Sequence, residues 1–255
     1  MSILLPLYVY PYAGAWDPLY SAAKAHPDVD FTVIVNPCSG PCQGSLPDQY
    51  YLNEIPKLGT YANIRTLGYV ATNYTTKELK DVLAEINTYA NWPKSANNTK
   101  LRVDGIFFDE TPSLYDSFKY DYLKTASQAV KNGTRFRDRF VVHNPGNIPV
   151  DILNNRTAAS NSYMTLADIT VIFEETFDKW IDKSTFDALQ SHNIRKSRLA
   201  VVLHSVPNIG RSVMDWLVEQ LDNTAGYFFV TNVKEKDEYY HSFSPLFEAL
   251  VEAVE

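Results

Sequence analysis

Val103–Glu110 reads VDGIFFDE, an apolar run that stops abruptly on two carboxylic acids. The run is continuous, not alternating, as expected of a parallel strand covered on both faces. FTVIV at 31–35, TVIF at 170–173, AVVL at 200–203 and YFFV at 227–230 have the same character. Working outward from these, strands are expected at Leu4–Tyr10, Phe31–Val35, Ile64–Ala71, Val103–Phe108, Phe140–His143, Ile169–Phe173, Leu199–His204 and Tyr227–Val230. Helical patterns fall between them, at Pro18–Ala25, Gln49–Leu58, Thr76–Tyr89, Asp116–Val130, Phe177–Gln190, Ser212–Leu221 and Pro245–Val254, with a poorly patterned piece within 150–162. The third is the clearest: Leu79, Val82, Leu83, Ile86 and Tyr89 make one stripe of helical period. Eight βα units in 255 residues predict an α/β fold, a single (β/α)8 TIM-type barrel forming one domain over 1–255. An open doubly wound sheet shares the alternation, but no Gly-x-Gly-x-x-Gly follows an early strand.

Composition removes several function classes. Lys and Arg number 23 against 30 Asp and Glu, a net charge of −7 that argues against a partner whose phosphates need a basic face, so no nucleic acid is expected. No apolar stretch approaches the roughly 20 residues of a membrane-spanning helix. Ile3–Tyr10 is apolar but short, and the first basic residue is Lys24, so no signal peptide is read. The chain is expected either to act inside the cell or to be the mature part of a secreted protein. Cys38 and Cys42 are too few for a four-ligand zinc site, though a local disulfide between them is possible.

In a barrel of this kind the active site is built at the C-terminal ends of the strands. Those ends carry Asn36-Pro37, Tyr69, Asp109-Glu110, His143-Asn144, Glu174-Glu175, His204-Ser205 and Thr231-Asn232. Carboxylates are poor strand formers and costly to bury, so folding does not ask for them there. One such acid is readily explained as a helix cap; three, on the fourth and sixth strands, point to paired acid–base chemistry on a glycosidic bond. Asp109, Glu110 and Glu174 are the candidate catalytic residues. Alternation sends Asp109 and Glu110 to opposite sides of a regular strand, so at most one faces directly inward.

Sugar rings stack on aromatic faces, which makes Tyr12, Trp16 and Tyr69 candidate substrate-binding residues among the tyrosines and tryptophans near strand ends (Tyr8, Tyr10, Tyr74 and Trp180 are the others). The amides of Asn36 and Asn144 could hold hydroxyls or shape their turns, and His204 completes the set. His143, His204 and Asp109 could in principle form a metal site, but no His-x-His or His-Glu-x-x-His spacing supports one, so no metal and no cofactor are expected. No Gly-x-Ser-x-Gly elbow marks a serine nucleophile.

YVYPYAGAW (8–16), VIVNPCSGPC (33–42), LGYVATNY (67–74), VDGIFFDETP (103–112), VVHNPGN (141–147), DITVIFEET (168–176) and VVLHSV (201–206) together resemble the spherulin-4-like (spherulation-specific) family, classed as glycoside hydrolase family 135. The resemblance implies a (β/α)8 barrel that cleaves galactosaminogalactan, a fungal exopolysaccharide, at internal α-1,4-linked N-acetylgalactosamine, with functional acids at Asp109, Glu110 and Glu174. It implies a polysaccharide as the binding partner; the chain is expected to be a monomer. Two other readings stay open at this point: a saccharide-binding barrel without turnover, and a metal-dependent barrel hydrolase.

Overall fold

The structure, a computed structural model, describes residues 1–149, 162–190, 194–235 and 238–255. Eight strands pair in chain order and in parallel: β1 Ser2–Leu7, β2 Asp30–Val35, β3 Ile64–Ala71, β4 Gly105–Asp109, β5 Phe140–His143, β6 Ile169–Thr176, β7 Leu199–His204 and β8 Tyr227–Val230. The sheet closes where Ser2 and Ile3 pair with Tyr227 and Phe228, making the expected (β/α)8 barrel. Around it lie α1 Asp17–Ala25, α2 Gln49–Leu58, α3 Leu79–Ser95, α4 Ser117–Lys131, α5 Phe177–Trp180, α6 Lys183–Gln190, α7 Arg211–Thr224 and α8 Phe247–Val254. Among the described residues no helix is long and apolar enough to cross a membrane.

Close packing explains the two strand glycines Gly68 and Gly105. A Cβ on Gly105 would sit 1.9 Å from the Phe140 carbonyl oxygen, so β4 and β5 approach closely only because that side chain is absent. At Gly68 the space is taken by the Tyr89 ring of α3, whose hydroxyl donates to the Tyr69 carbonyl and ties helix to strand.

Several boundaries differ from the sequence expectation for local reasons. β1 ends at Leu7, not Tyr10, because the chain turns out over the mouth: Trp16 Nε1 donates to the Val9 carbonyl and Tyr12 N to that of Tyr10. Pro6 is tolerated inside β1 because β8 pairs with that strand only at Ser2 and Ile3. β4 starts at Gly105; Asp104 just before it accepts from Thr66 N and from Arg137, fixing the entry to the strand. β6 runs on to Thr176, with a register irregularity between Val171 and Phe173, so both Glu174 and Glu175 lie within the strand. The expected helix over 177–190 is two helices, since the Asp182 carboxylate caps a fresh start by accepting from Ser184 N and Thr185 N. α3 begins later than Thr76 because residues 73–75 form a left-handed turn. The piece expected within 150–162 lies outside the described residues, except for Ser162, which accepts from Met164 N.

Both chain ends lie at the barrel's lower rim, where the strands begin. Ser2 N bonds the Gly226 carbonyl ahead of β8, and Glu255 contacts His26 Nδ1 at 3.0 Å below α1.

Candidate active site

At the opposite rim, β4 delivers Asp109 and β6 delivers Glu174, with Asn144 between them just past β5. One nitrogen joins the two acids. Asn144 Nδ2 donates to Asp109 Oδ1 at 2.8 Å and to Glu174 Oε2 at 2.5 Å. These two oxygens therefore lie no more than about 5.3 Å apart, on the close side that suits the roughly 5–5.5 Å of retaining glycosidases and short of the roughly 6.5–9.5 Å of inverting ones. The amide cannot turn over, because its Oδ1 accepts from Gly146 N at 2.9 Å. Its backbone is pinned as well: Asn144 N donates to the Phe108 carbonyl, and Thr111 N donates to the Asn144 carbonyl.

Asp109 collects three donors, from Tyr69 Oη at 2.8 Å, Glu110 N at 2.8 Å and Asn144 Nδ2. Burial still raises its pKa above the ordinary carboxylate value, with these hydrogen bonds pulling the other way. Glu174 accepts from Tyr240 Oη and Asn144, and it too is raised, by burial first and then by the charge of Asp109. Two acids held this close cannot both ionise freely, so one proton stays in the pair over an extended pH range.

The chain resolves the alternation problem at Asp109-Glu110 by leaving the strand. Glu110 sits at φ +51°, left-handed backbone that disfavours any residue with a Cβ, and its carbonyl accepts from Tyr74 N at 2.6 Å and Thr72 Oγ1 at 2.8 Å. Asn73, Tyr74 and Thr75 are left-handed too, at φ 48°, 54° and 72°. Such strain persists only where surrounding bonds over-determine it, and it gathers at functional sites. The Glu110 carboxyl is raised by burial and by Asp109, against the pull of the Asn73 N–H and Lys77.

Tyrosines line the pair. Tyr8 meets Tyr69 and Tyr240 edge-on, with ring centroids 5.7 and 5.5 Å apart. Burial, reinforced by the nearby carboxylates, raises all three phenols, which stay neutral; Tyr69 and Tyr240 act as donors to the acids. Tyr69 is expected from the sequence to bind substrate; Tyr8 stands there only among the other aromatic residues near strand ends, and Tyr240 not at all. Tyr8 carried a positional signal in following β1; Tyr240 lies ten residues beyond β8, where no strand-end rule reaches.

A sequence profile of the spherulation-specific family 4 matches residues 2–254. The chain belongs to that family. Spherulin-4 of Physarum polycephalum is 33% identical over 181 residues, 69% of this chain. The match spans 45% of the relative, so the chain corresponds to less than half of that protein's length. The crystal structure of Aspergillus clavatus Sph3 in complex with GalNAc superposes with a TM-score of 0.90 at 40% identity, covering 99% of this chain and 96% of that one.

Within this spherulation-family barrel the other expected residues part ways. Trp16 is corrected: it is 1% exposed and wedged against Tyr51, so it anchors the first loop and has no face to offer a sugar. Asn36 spends its Oδ1 on Gly40 N, closing the loop that the Cys38–Cys42 disulfide also clips. Tyr12 is 62% exposed and packs against Tyr10 and Tyr50; it bonds to neither acid. His204 is largely buried, stacked on Tyr239 at 4.0 Å and bonded to Ser205. His143 is a structural residue, bonded to Ser127 at 2.9 Å and held neutral by burial, which lowers its pKa to about 3. Trp180 is buried against Phe173. Among the described residues no three His, Cys, Asp or Glu side chains gather as a metal ion would require.

Proposed function

We propose that this chain hydrolyses internal α-1,4-linked N-acetylgalactosamine bonds in a galactosaminogalactan-type polysaccharide, with retention of anomeric configuration. The observation that carries this reading is the spacing of Asp109 and Glu174 across the single amide of Asn144. The likeness to a relative crystallised with GalNAc supports the choice of sugar.

Asp109 is the nucleophile. Among the described residues three donors favour its ionised form, whereas Glu174 has two and feels both Asp109 and Glu175. Glu174 then holds the proton on one oxygen and gives it to the leaving oxygen, while its other oxygen goes on accepting from Tyr240 Oη. Asp109 attacks the anomeric carbon through an oxocarbenium-like transition state, and Glu174 afterwards takes a proton from the water that releases the sugar. The acetamide of an α-linked sugar lies on the same side as the leaving group and cannot attack from the rear, so a protein carboxylate or a water it activates must; the closeness of the two acids favours the carboxylate. Glu110 supports the pair as a substrate-holding or pKa-tuning partner.

The test is incubation with N-acetylgalactosamine-rich polymer. New reducing ends and oligosaccharides by mass spectrometry are expected, with the first product in the α-configuration by NMR. Asp109→Asn and Glu174→Gln should each abolish cleavage with the fold intact. Binding without any cleavage by the wild type would instead make this a saccharide-binding barrel.

A further inference from the structure

Resting on that hydrolase reading, we infer that Tyr10, Tyr12 and Tyr50 form a distal subsite that grips a sugar ring of the same polysaccharide chain, beyond the residues flanking the cleaved bond. Tyr12 and Tyr50 are 62% and 46% exposed, and neither ring covers the core. The three rings lie 4.5 to 5.5 Å apart as one tilted cluster. The cluster is built, not incidental. Tyr10 Oη donates to Asp48 Oδ2, while Asp48 Oδ1 caps α2 by accepting from Tyr50 N and Tyr51 N. One carboxylate therefore orients Tyr10 and fixes the backbone that carries Tyr50. Beneath, buried Tyr51 packs on Tyr10 and Trp16.

One chain segment carries both the platform and a side chain of the acid site. Tyr8, which touches the two phenols bonded to Asp109 and Glu174, is two residues before Tyr10 on the segment leaving β1. Tyr10 and Tyr12 follow β1 and Tyr50 lies on α2, whereas the acids stand on β4 and β6, so the platform occupies a different part of the rim from the cleaved bond. Tyrosine faces with hydroxyl edges suit the C–H face and hydroxyls of a neutral pyranose. Such a grip favours long chains and attack away from their ends.

Tyr12→Ala/Tyr50→Ala and the matching Phe pair test this with tetramer and dodecamer of α-1,4-linked N-acetylgalactosamine. For the wild type kcat/KM is expected to rise with length; the Ala pair should cut the dodecamer-to-tetramer ratio about tenfold, and the Phe pair, which keeps the stacking faces, should restore most of it. In parallel, calorimetric binding of the dodecamer to Glu174→Gln should weaken about tenfold when the Ala pair is added. An unchanged ratio or unchanged binding overturns the subsite. Failure of the wild type to cleave, with binding still weakened by the Ala pair, counts against the hydrolase reading and for the subsite. A wild-type dimer in sedimentation that the Ala pair dissolves overturns the subsite by assigning the patch to a second copy of the chain.

Discussion

Asp109 and Glu174 accept hydrogen bonds from a single nitrogen, Nδ2 of Asn144, whose orientation is locked by Gly146 N. Removing that amide frees both acids to move. Asn144→Ala is expected to lower kcat/KM by about a hundredfold or more, the scale of a displacement of about 1 Å at reacting groups. Asn144→Asp adds a third carboxyl and should be worse at neutral pH, with partial recovery as the pH falls and the cluster takes up a proton. Steady-state pH profiles of both variants check this.

The raised pKa of Glu174 has a stability consequence. Its carboxyl binds a proton more tightly in the folded chain than in the unfolded one, where its pKa is about 4.3. Native stability is therefore lost as pH rises from that value through the folded one. Glu174→Gln removes this penalty: its Tm should exceed wild type at pH 8, by about 2–4 °C per kcal/mol relieved, and match it below about pH 4. Calorimetric scans at the two pH values measure it.

Asp109 contributes to that rise through its charge. In Asp109→Asn the pKa of Glu174 should fall, because the neighbouring negative charge is gone while burial remains. Titration of the Glu174 carboxyl carbon by NMR in the two proteins reads the shift directly; an unchanged or higher value would contradict the pairing.

Glu110 holds left-handed backbone at φ +51°. Glu110→Gly should therefore be more stable than Glu110→Ala by about 1 kcal/mol in urea denaturation, since only glycine adopts that conformation at little steric cost. Both variants should lose activity, separating the backbone strain from the use of the carboxyl.

Gly105→Ala drives a methyl into the Phe140 carbonyl at the β4–β5 contact. A loss of about 4 kcal/mol or more, or failure to accumulate folded protein, is expected.

Strand identity was legible because buried parallel strands leave unbroken apolar words; all eight appear where FTVIV, GIFFD, ITVIF and their counterparts fall. Asp109 and Glu174 were legible as strand-end acids that folding does not require, and Asn144 as a strand-end amide able to hold a hydroxyl or shape its turn. What escaped depends on contacts distant in the chain. Tyr240 reaches Glu174 across 66 residues, and no local pattern announces that bond. Trp16 was misread because exposure, not residue type, decides whether an aromatic can stack on a ligand, and exposure follows from the turn at Val9. The break at Asp182 was hidden for a related reason: the apolar period runs through it, and only the capping bonds reveal a new helix start.

Ser2 enters β1 and Glu255 meets His26 on the face of the barrel that looks away from the carboxyls. A segment added at either end departs from that underside. Coupling the chain to a resin, or tethering it to a wall, through one terminus would thus leave the rim that carries the acids facing outward.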